Sequence, residues 1–244
     1  MSKNLSKTIR DTFEDVRGFS HFDLDISDDV WALCEGLNIE PNGDYNNFGQ
    51  PETLEADIAK FLTGMGNESA DAKVVALEIS KINDEVKQAF GVDSSWLTLR
   101  PSEPSDAFDI PRWHKDGKFF EGDEKQRKVI ALLTGQDHTL IADITSEEHK
   151  KINKLYASGQ NYDSVLRSEF AEQVNTSSIS QAHDRQGSVF TVGEEMATLH
   201  SEPPARSKRL FLSVVPGTAE QIEALRVRWN EPPSSGAVKP TPPR

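Results

Sequence analysis

Residues 200–215 read HSEPPARSKRLFLSVV and end in the strongest β-run of the chain, from Arg209 to Val215. Side chains alternate between the two faces of a strand, so Arg209, Phe211 and Ser213 share one face. A guanidinium and a hydroxyl on the same face can hold a carboxylate through charge-assisted hydrogen bonds. Taken alone, an arginine at the head of an apolar strand is better explained as an ion-paired residue at the rim of a barrel.

Short β-runs dominate the chain from residue 95 onward. They are separated by turns and do not alternate with helices, which favours a β-sandwich or barrel over a parallel α/β sheet. The runs lie at Trp96–Arg100, Asp109–His114, Lys128–Thr134, Thr139–Ile144, Ser188–Val192, Ala197–Glu202 and Arg209–Val215. A helical insert over about residues 145–183 interrupts them and opens with the capping box of Thr145 and Glu148.

The first third of the chain is predicted to be helical. Ser69–Phe90 places apolar residues three or four apart on one face, and Gly91 follows as a stop signal. Shorter helical patterns cover Leu5–Val16, Asp28–Leu37 and Glu52–Leu62. Pro41–Pro51 is rich in the Pro, Gly, Asn and Asp residues that favour turns, so turns are predicted there. A further helix is expected after Gly217.

These patterns predict an α+β or mainly β fold in which N-terminal helices buttress a β core. The expected organisation is one structural domain, made of a helical buttress over 1–94, a β core over 95–216, a C-terminal helix over 217–230 and a Pro-rich tail over 231–244.

The stretch RWHKDG at 112–117 carries the pattern most suggestive of chemistry. On a strand His114 and Asp116 would share a face, so together they could supply two ligands of a metal ion. A histidine from a distant strand would complete the two-His-one-carboxylate triad of non-haem iron oxygenases, and His200 is the candidate. By itself H-x-D is a weak signal, because the chain has six histidines and many aspartates.

The order H-x-D, a long gap, His, and then Arg nine residues later resembles the Fe(II)/2-oxoglutarate-dependent oxygenase superfamily. Residues 200–209 are similar to prolyl hydroxylases in the spacing of His, Pro-Ala and Arg, and Gly187–Phe190 resembles the hairpin that precedes the second histidine. The resemblance covers about Trp96–Val215. It implies a double-stranded β-helix, a jelly-roll, cupin-like barrel with the iron at its open end.

Carried over residue by residue, the resemblance implies that His114, Asp116 and His200 bind Fe(II). Arg209, with Ser213 behind it, becomes the partner of the distal carboxylate of 2-oxoglutarate. The implied activity couples O₂ and the oxidative decarboxylation of 2-oxoglutarate to the oxidation of a substrate, most simply by hydroxylation.

The chain departs from prolyl hydroxylases where those enzymes often carry tyrosines. The stretch before H-x-D offers Arg100, and the residues nearest to the second tyrosine position are Leu133 and Thr134, so Arg100 and Thr134 are candidate cosubstrate residues. Arg206 and Lys208 are rivals to Arg209 for the carboxylate, although Lys208 should face away from the side of Arg209.

Two further features each have two interpretations. Trp113 and the pair Phe119–Phe120 flank H-x-D and either line a dry cavity or belong to the ordinary core. The insert over 145–183 either covers a substrate site or packs on the outside of the barrel.

Composition excludes several classes of protein. The net charge of the 244 residues is −13, and residues 1–93 hold 8 basic and 19 acidic residues, so a nucleic-acid partner is disfavoured. The single cysteine, Cys34, excludes a disulfide framework and a cysteine-built zinc site, and a reducing cytoplasm is the expected location. Neither a membrane span nor a signal peptide is expected.

Two alternatives to the oxygenase hypothesis belong to other classes. One is a cupin-like barrel that binds or isomerises a small molecule without O₂, although no H-x-H occurs in the chain. The other is a non-catalytic barrel that uses its acidic helical flank for protein contacts. A small molecule or a peptide is the expected substrate, and neither its identity nor the oligomeric state follows from the sequence.

Overall fold

The computed structural model describes residues 5–13, 18–41, 43–105, 111–122, 125–157, 164–174, 178–193, 197–201 and 206–230. In chain order the elements are α1 (Leu5–Phe13), β1 (Phe19–Asp23), α2 (Asp28–Glu35), β2 (Tyr45–Phe48), α3 (Pro51–Gly64), α4 (Ser69–Phe90), β3 (Ser94–Ser102), β4 (Gln126–Thr134), β5 (Leu140–Ala142), α5 (Ser146–Ala157), α6 (Ser164–Gln173), β6 (Ile179–Gln181), β7 (Gln186–Val192), β8 (Leu199–Ser201), β9 (Arg209–Gly217) and α7 (Ala219–Asn230). The predicted Pro-rich tail, 231–244, lies outside the described residues.

The larger sheet has six strands in the order β1-β7-β4-β9-β3-β2, and all its pairs are antiparallel. Its central strands are apolar on both faces. One face, which includes Val129, Leu212 and Val214, packs in a single core with Ile79 and Val86 of α4. Helices α1–α3 contribute to the same core, so the predicted helical buttress covers this face of the sheet.

A smaller sheet, ordered β6-β5-β8, lies against the opposite face. Ile141 of β5 belongs to the same core cluster as Phe190 of β7. The His21 ring of β1 lies 2.8 Å from the Ser180 hydroxyl of β6, which joins the two sheets. The described strands therefore form two facing antiparallel sheets and do not close into a barrel.

The prediction for α4 is confirmed at both ends. The helix covers Ser69–Phe90, and Gly91 caps it in the left-handed conformation, with φ of 65°. The capping box of α5 is also present, because the Thr145 N–H donates to the Glu148 carboxylate at 2.6 Å and the Glu148 N–H donates back to the Thr145 hydroxyl at 3.3 Å.

Residues 1–94 contribute two strands in addition to the helices predicted for this segment. This segment supplies both edge strands of the larger sheet, β1 beside β7 and β2 beside β3. Strand β2 lies inside Pro41–Pro51, which the sequence predicted as turns. Only its two central residues, Asn46 and Asn47, are polar, whereas Tyr45 and Phe48 pack against the hydrophobic core.

The predicted strand Asp109–His114 is also corrected. Residues 106–110 lie outside the described part of the chain, and within the rest only His114 makes a β-bridge, to His200. His114 and Asp116 therefore belong to an irregular segment rather than to a regular strand.

Helices α5 and α6 pack on the outer side of the smaller sheet. Ile152 and Phe170 are fully buried and share a cluster with Trp113 and Leu199, which supports the packing interpretation of the insert. Phe119 and Phe120 belong to the core between the sheets. Among the described residues, no helix is both long and apolar enough to cross a bilayer.

Candidate metal centre

The two histidines of the candidate site are brought together by their backbones. His114 and His200 exchange two N–H···O hydrogen bonds of 2.8 and 3.0 Å across the β-bridge. Their ring centroids lie 4.3 Å apart. Residues 86 positions apart in the sequence thus present adjacent imidazoles because strand pairing places them side by side.

Both imidazoles are oriented by backbone carbonyls. The Nδ1 atom of His114 lies 2.9 Å from the carbonyl oxygen of Arg112, and that of His200 lies 3.1 Å from the carbonyl oxygen of Thr198. A carbonyl can only accept, so Nδ1 carries a proton in each ring, and in the neutral form of the ring Nε2 presents its lone pair. This is the arrangement that a metal-binding histidine needs.

Asp116 completes the cluster. Its Oδ1 lies 3.9 Å from Nε2 of His114, and its Oδ2 lies 3.7 Å from Nε2 of His200. One ligand atom from each of the three residues lies within 4.8 Å of the others. The Asp116 carbonyl accepts from the Gly193 N–H at 3.0 Å, which ties this segment to the end of β7.

The donor set fits one metal ion. Two neutral imidazole nitrogens and one carboxylate match the facial triad that binds Fe(II) and leaves further coordination positions open. Asp116 is 8% exposed and His200 is 4% exposed, so these ligands lie out of contact with bulk water. The triad predicted from the sequence is therefore present in the fold.

Burial sets the ionisation of His200. Removal from water lowers its pKa below the ordinary range, the Asp116 charge opposes that shift, and the Lys128 charge adds to it. The ring is thus neutral near pH 7, which is the form that binds a metal.

The structure adds Lys128, which sequence reasoning missed. Its ammonium lies 2.7 Å from Oδ2 of Asp116, and both side chains are buried. Burial alone would raise the pKa of the Asp116 carboxyl, but the Lys128 ammonium beside it lowers that pKa, and each imidazole adds to the lowering when it is protonated. Lys128 precedes the apolar run Val129–Leu133, but Arg127 beside it is also a cation, so the sequence does not single Lys128 out.

Arg209 and Ser213 lie on the same face of the larger sheet as Lys128. Arg209 starts β9, and its guanidinium donates to the Ser102 hydroxyl at 3.0 Å and to the Asp137 carbonyl at 3.3 Å. Ser213 pairs with Ile130, two residues after Lys128 on the same face of β4, and it is 8% exposed.

The remaining cosubstrate candidates are placed less favourably. Arg100 shares that face, but its guanidinium is held by Asp44 at 2.9 Å, beside the edge strand β2. Thr134 follows a bulge in β4, and its hydroxyl donates to the Cys34 carbonyl of α2, on the helix-covered side of the sheet. Arg206 is exposed. The structure therefore does not bring Arg100, Thr134 or Arg206 to the triad.

Comparisons with known proteins give the following result. No protein-family model matches the chain, and no curated protein matches it in sequence. Among solved structures, the chain is similar to a prolyl-4-hydroxylase from Pseudomonas putida, with 15% identity, coverage of 86% of this chain and 97% of that chain, and a TM-score of 0.41.

Two further solved structures are similar in the same range. One is an N-substituted L-amino acid dioxygenase from Burkholderia ambifaria AMMD, with 14% identity, coverage of 86% of this chain and 87% of that chain, and a TM-score of 0.44. The other is the non-heme alpha-ketoglutarate-dependent carbocyclase SnoK from nogalamycin biosynthesis, with 14% identity, coverage of 88% and 83%, and a TM-score of 0.42. These proteins are of the kind that the sequence resembles.

Proposed function

We propose that this protein is an Fe(II)- and 2-oxoglutarate-dependent oxygenase, most simply a hydroxylase, and that its two sheets are the halves of a double-stranded β-helix. The observation that carries this proposal is the triad of His114, Asp116 and His200, two oriented imidazoles and one carboxylate gathered in the fold. Two imidazoles and one carboxylate are the donor set of the facial triad that binds ferrous iron. Structural zinc sites are commonly built from cysteine, and calcium sites are built from oxygen ligands.

The mechanism assigns each residue of the triad a separate task. His114 and His200 offer neutral Nε2 atoms, which their Nδ1 hydrogen bonds hold in place. Asp116 supplies the anionic oxygen. When bound, Fe(II) with 2-oxoglutarate and O₂ would supply the oxidising chemistry, with succinate and CO₂ as co-products.

Burial limits the access of water to part of the triad. The ring of Phe190 lies 4.6 Å from that of His200, and His200 is 4% exposed. An apolar wall of this kind protects a reactive centre from side reactions with solvent. Trp113, next to His114, is 1% exposed but packs with Ile152 and Phe170 behind the smaller sheet, so it supports the segment that carries His114 and does not line the centre.

Arg209 and Ser213 remain the proposed partners of the distal carboxylate of 2-oxoglutarate. The support for this role is their position on the triad-facing side of the sheet, with Ser213 between Arg209 and the level of Lys128. A cosubstrate bound to the metal at one end would extend along β9 toward the guanidinium. Arg209 would then exchange its contacts with Ser102 and Asp137 for the carboxylate.

Replacing Arg209 by alanine is expected to weaken 2-oxoglutarate binding by about 10- to 100-fold, because one charge-assisted hydrogen-bonded pair is lost. The measurement is a titration of the metal-loaded protein with 2-oxoglutarate in the absence of O₂. Arg206→Ala is the matched control, since it removes an exposed arginine three positions away, and it should leave the affinity unchanged. An unchanged affinity in Arg209→Ala would remove Arg209 from the cosubstrate site while leaving the metal site intact.

The proposed activity is tested by adding Fe(II) and then 2-oxoglutarate without O₂. We expect a visible metal-to-ligand absorption band in the wild type, no band in His200→Ala, and formation of succinate once air is admitted. Metal binding without a band and without succinate would instead indicate a cupin-like binding barrel. Absence of metal binding would indicate a non-catalytic barrel.

A further inference from the structure

The segment that carries two of the three candidate ligands is not a regular strand. Among the described residues, its backbone forms a β-bridge only at His114, and residues 115–118 belong to no helix or strand. His114 is fixed by that bridge to His200, whereas Asp116 lies two residues beyond it. The place of the Asp116 carboxylate therefore depends on what holds this irregular stretch of backbone.

Gly193, directly after β7, holds it by a close backbone contact. The Gly193 N–H donates to the Asp116 carbonyl at 3.0 Å. Gly193 has φ of 78°, a left-handed conformation that glycine adopts without strain. A Cβ atom at this position would lie 2.8 Å from Cα of Lys118 and 3.2 Å from its N atom. These are backbone atoms, so residues 116–118 would have to shift to make room for any side chain at position 193.

The end of β7 is itself anchored on the N-terminal part of the chain. The Gly18 carbonyl accepts from the N–H and the hydroxyl of Thr191, at 2.8 and 3.0 Å, and from the Thr198 hydroxyl at 3.1 Å. Thr191 and Thr198 are 6% and 5% exposed. The carbonyl of Thr198 is the one that orients His200. Gly193 thus extends from a fixed backbone that also sets the second histidine.

We propose that Gly193 is a positioning residue of the metal centre, whose contact with residues 116–118 sets the Asp116 carboxylate beside the two imidazoles. It acts through Asp116 and does not touch the metal. The inference rests on the metal centre of the proposed function and does not depend on the oxidation chemistry. Glycine serves there for two separable reasons, the left-handed backbone and the missing Cβ, and the missing Cβ is the one that matters for Asp116.

The test uses Mn(II) as the probe and two matched pairs of variants of the full chain. Gly193→Ala and Gly193→Asn both add a Cβ, but asparagine tolerates the left-handed backbone better than alanine does. Gly91→Ala and Gly91→Asn are the controls. Gly91 has φ of 65°, and among the described residues a Cβ there would meet nothing within 4 Å apart from its chain neighbours. Electron paramagnetic resonance of free Mn(II) gives the dissociation constant, and urea unfolding of the metal-free protein gives the stability.

We expect both Gly193 variants to bind Mn(II) about tenfold more weakly than the wild type, in the range found for partners that orient a metal ligand. Both Gly91 variants should bind Mn(II) as the wild type does. At each position asparagine should recover part of the stability that alanine loses, because the backbone strain is smaller. At position 193 this recovery should leave the Mn(II) affinity low, since the added Cβ occupies the same place.

The outcomes separate this inference from the proposed function. Wild-type Mn(II) affinity in both Gly193 variants would overturn the positioning role and leave the metal centre standing. Affinity that recovers together with stability in Gly193→Asn would overturn it too, because strain rather than contact would then be the cause. The same holds if neither Gly193 variant folds while the Gly91 variants do, because the fold as a whole would then require this glycine.

Two further outcomes concern the proposed function. If the wild type does not bind Mn(II), the positioning role and the metal centre fail together. If Mn(II) binding weakens as expected but Fe(II) and 2-oxoglutarate give neither an absorption band nor succinate, the positioning role stands and the oxygenase function fails.

Discussion

Replacing His200 by alanine is expected to weaken Fe(II) binding by about 100-fold or more, since even the outer partners of a metal ligand change affinity by 10- to 100-fold. The variant removes one of the three candidate ligand atoms. Alanine at this position keeps the backbone bridge to His114 but offers no side-chain atom that could bind the metal. Isothermal titration with Fe(II) under anaerobic conditions measures the effect.

The matched control for this prediction is His138→Ala. His138 is 6% exposed and His200 is 4% exposed, so the two substitutions remove the same side chain from similarly buried positions. His138 pairs with Asp184 at 3.3 Å and does not belong to the triad. Equal metal affinities in the two variants would contradict the assignment of His200 as a ligand.

Replacing Trp113 by alanine is expected to cost about 3–5 kcal/mol of folding free energy, the range found for large aromatic residues in a packed core. Trp113 is 1% exposed and packs with Ile152 and Phe170 of the two helices behind the smaller sheet. Because Trp113 directly precedes His114, the loss should also loosen the metal site. Urea unfolding of the metal-free protein measures the cost.

Trp229→Ala is the control for this stability prediction. Trp229 of α7 is only partly buried against Trp96, at a ring distance of 5.4 Å, so its removal should cost clearly less than that of Trp113. A similar small loss in both variants would show that Trp113 is not part of a tightly packed core.

Local sequence signals determined much of the helical structure. The stripe of Ser69–Phe90 and its glycine cap depend only on residues within that segment, and the helix forms where the pattern predicts it. The capping box of α5 is equally local. By contrast, β1 and β2 owe their existence to the strands they pair with, β7 and β3, which lie far away in the sequence. Their own sequences, FSHFD and YNNF, are too short to show a clear alternation of apolar and polar residues.

The candidate site was predictable in its ligands and unpredictable in its surroundings. H-x-D suggests His114 and Asp116 as a pair, and His200 was added because the order H-x-D, a long gap, His and then Arg resembles the Fe(II)/2-oxoglutarate-dependent oxygenases. Lys128 acts through the pairing of β4 with its neighbours, and a lysine in a strand is ordinarily assigned to solvent. Thr134 was misplaced for a related reason: the bulge after Leu132 turns its hydroxyl toward α2, and a bulge leaves no clear trace in this stretch of sequence.

The most direct test of the central claim is X-ray absorption spectroscopy of the protein loaded anaerobically with one equivalent of Fe(II). The account predicts scattering from two imidazole rings in the wild type and from one in His200→Ala, with the iron still ferrous. A first shell without imidazole in the wild type, or an unchanged spectrum in the variant, would contradict a centre built from His114, Asp116 and His200.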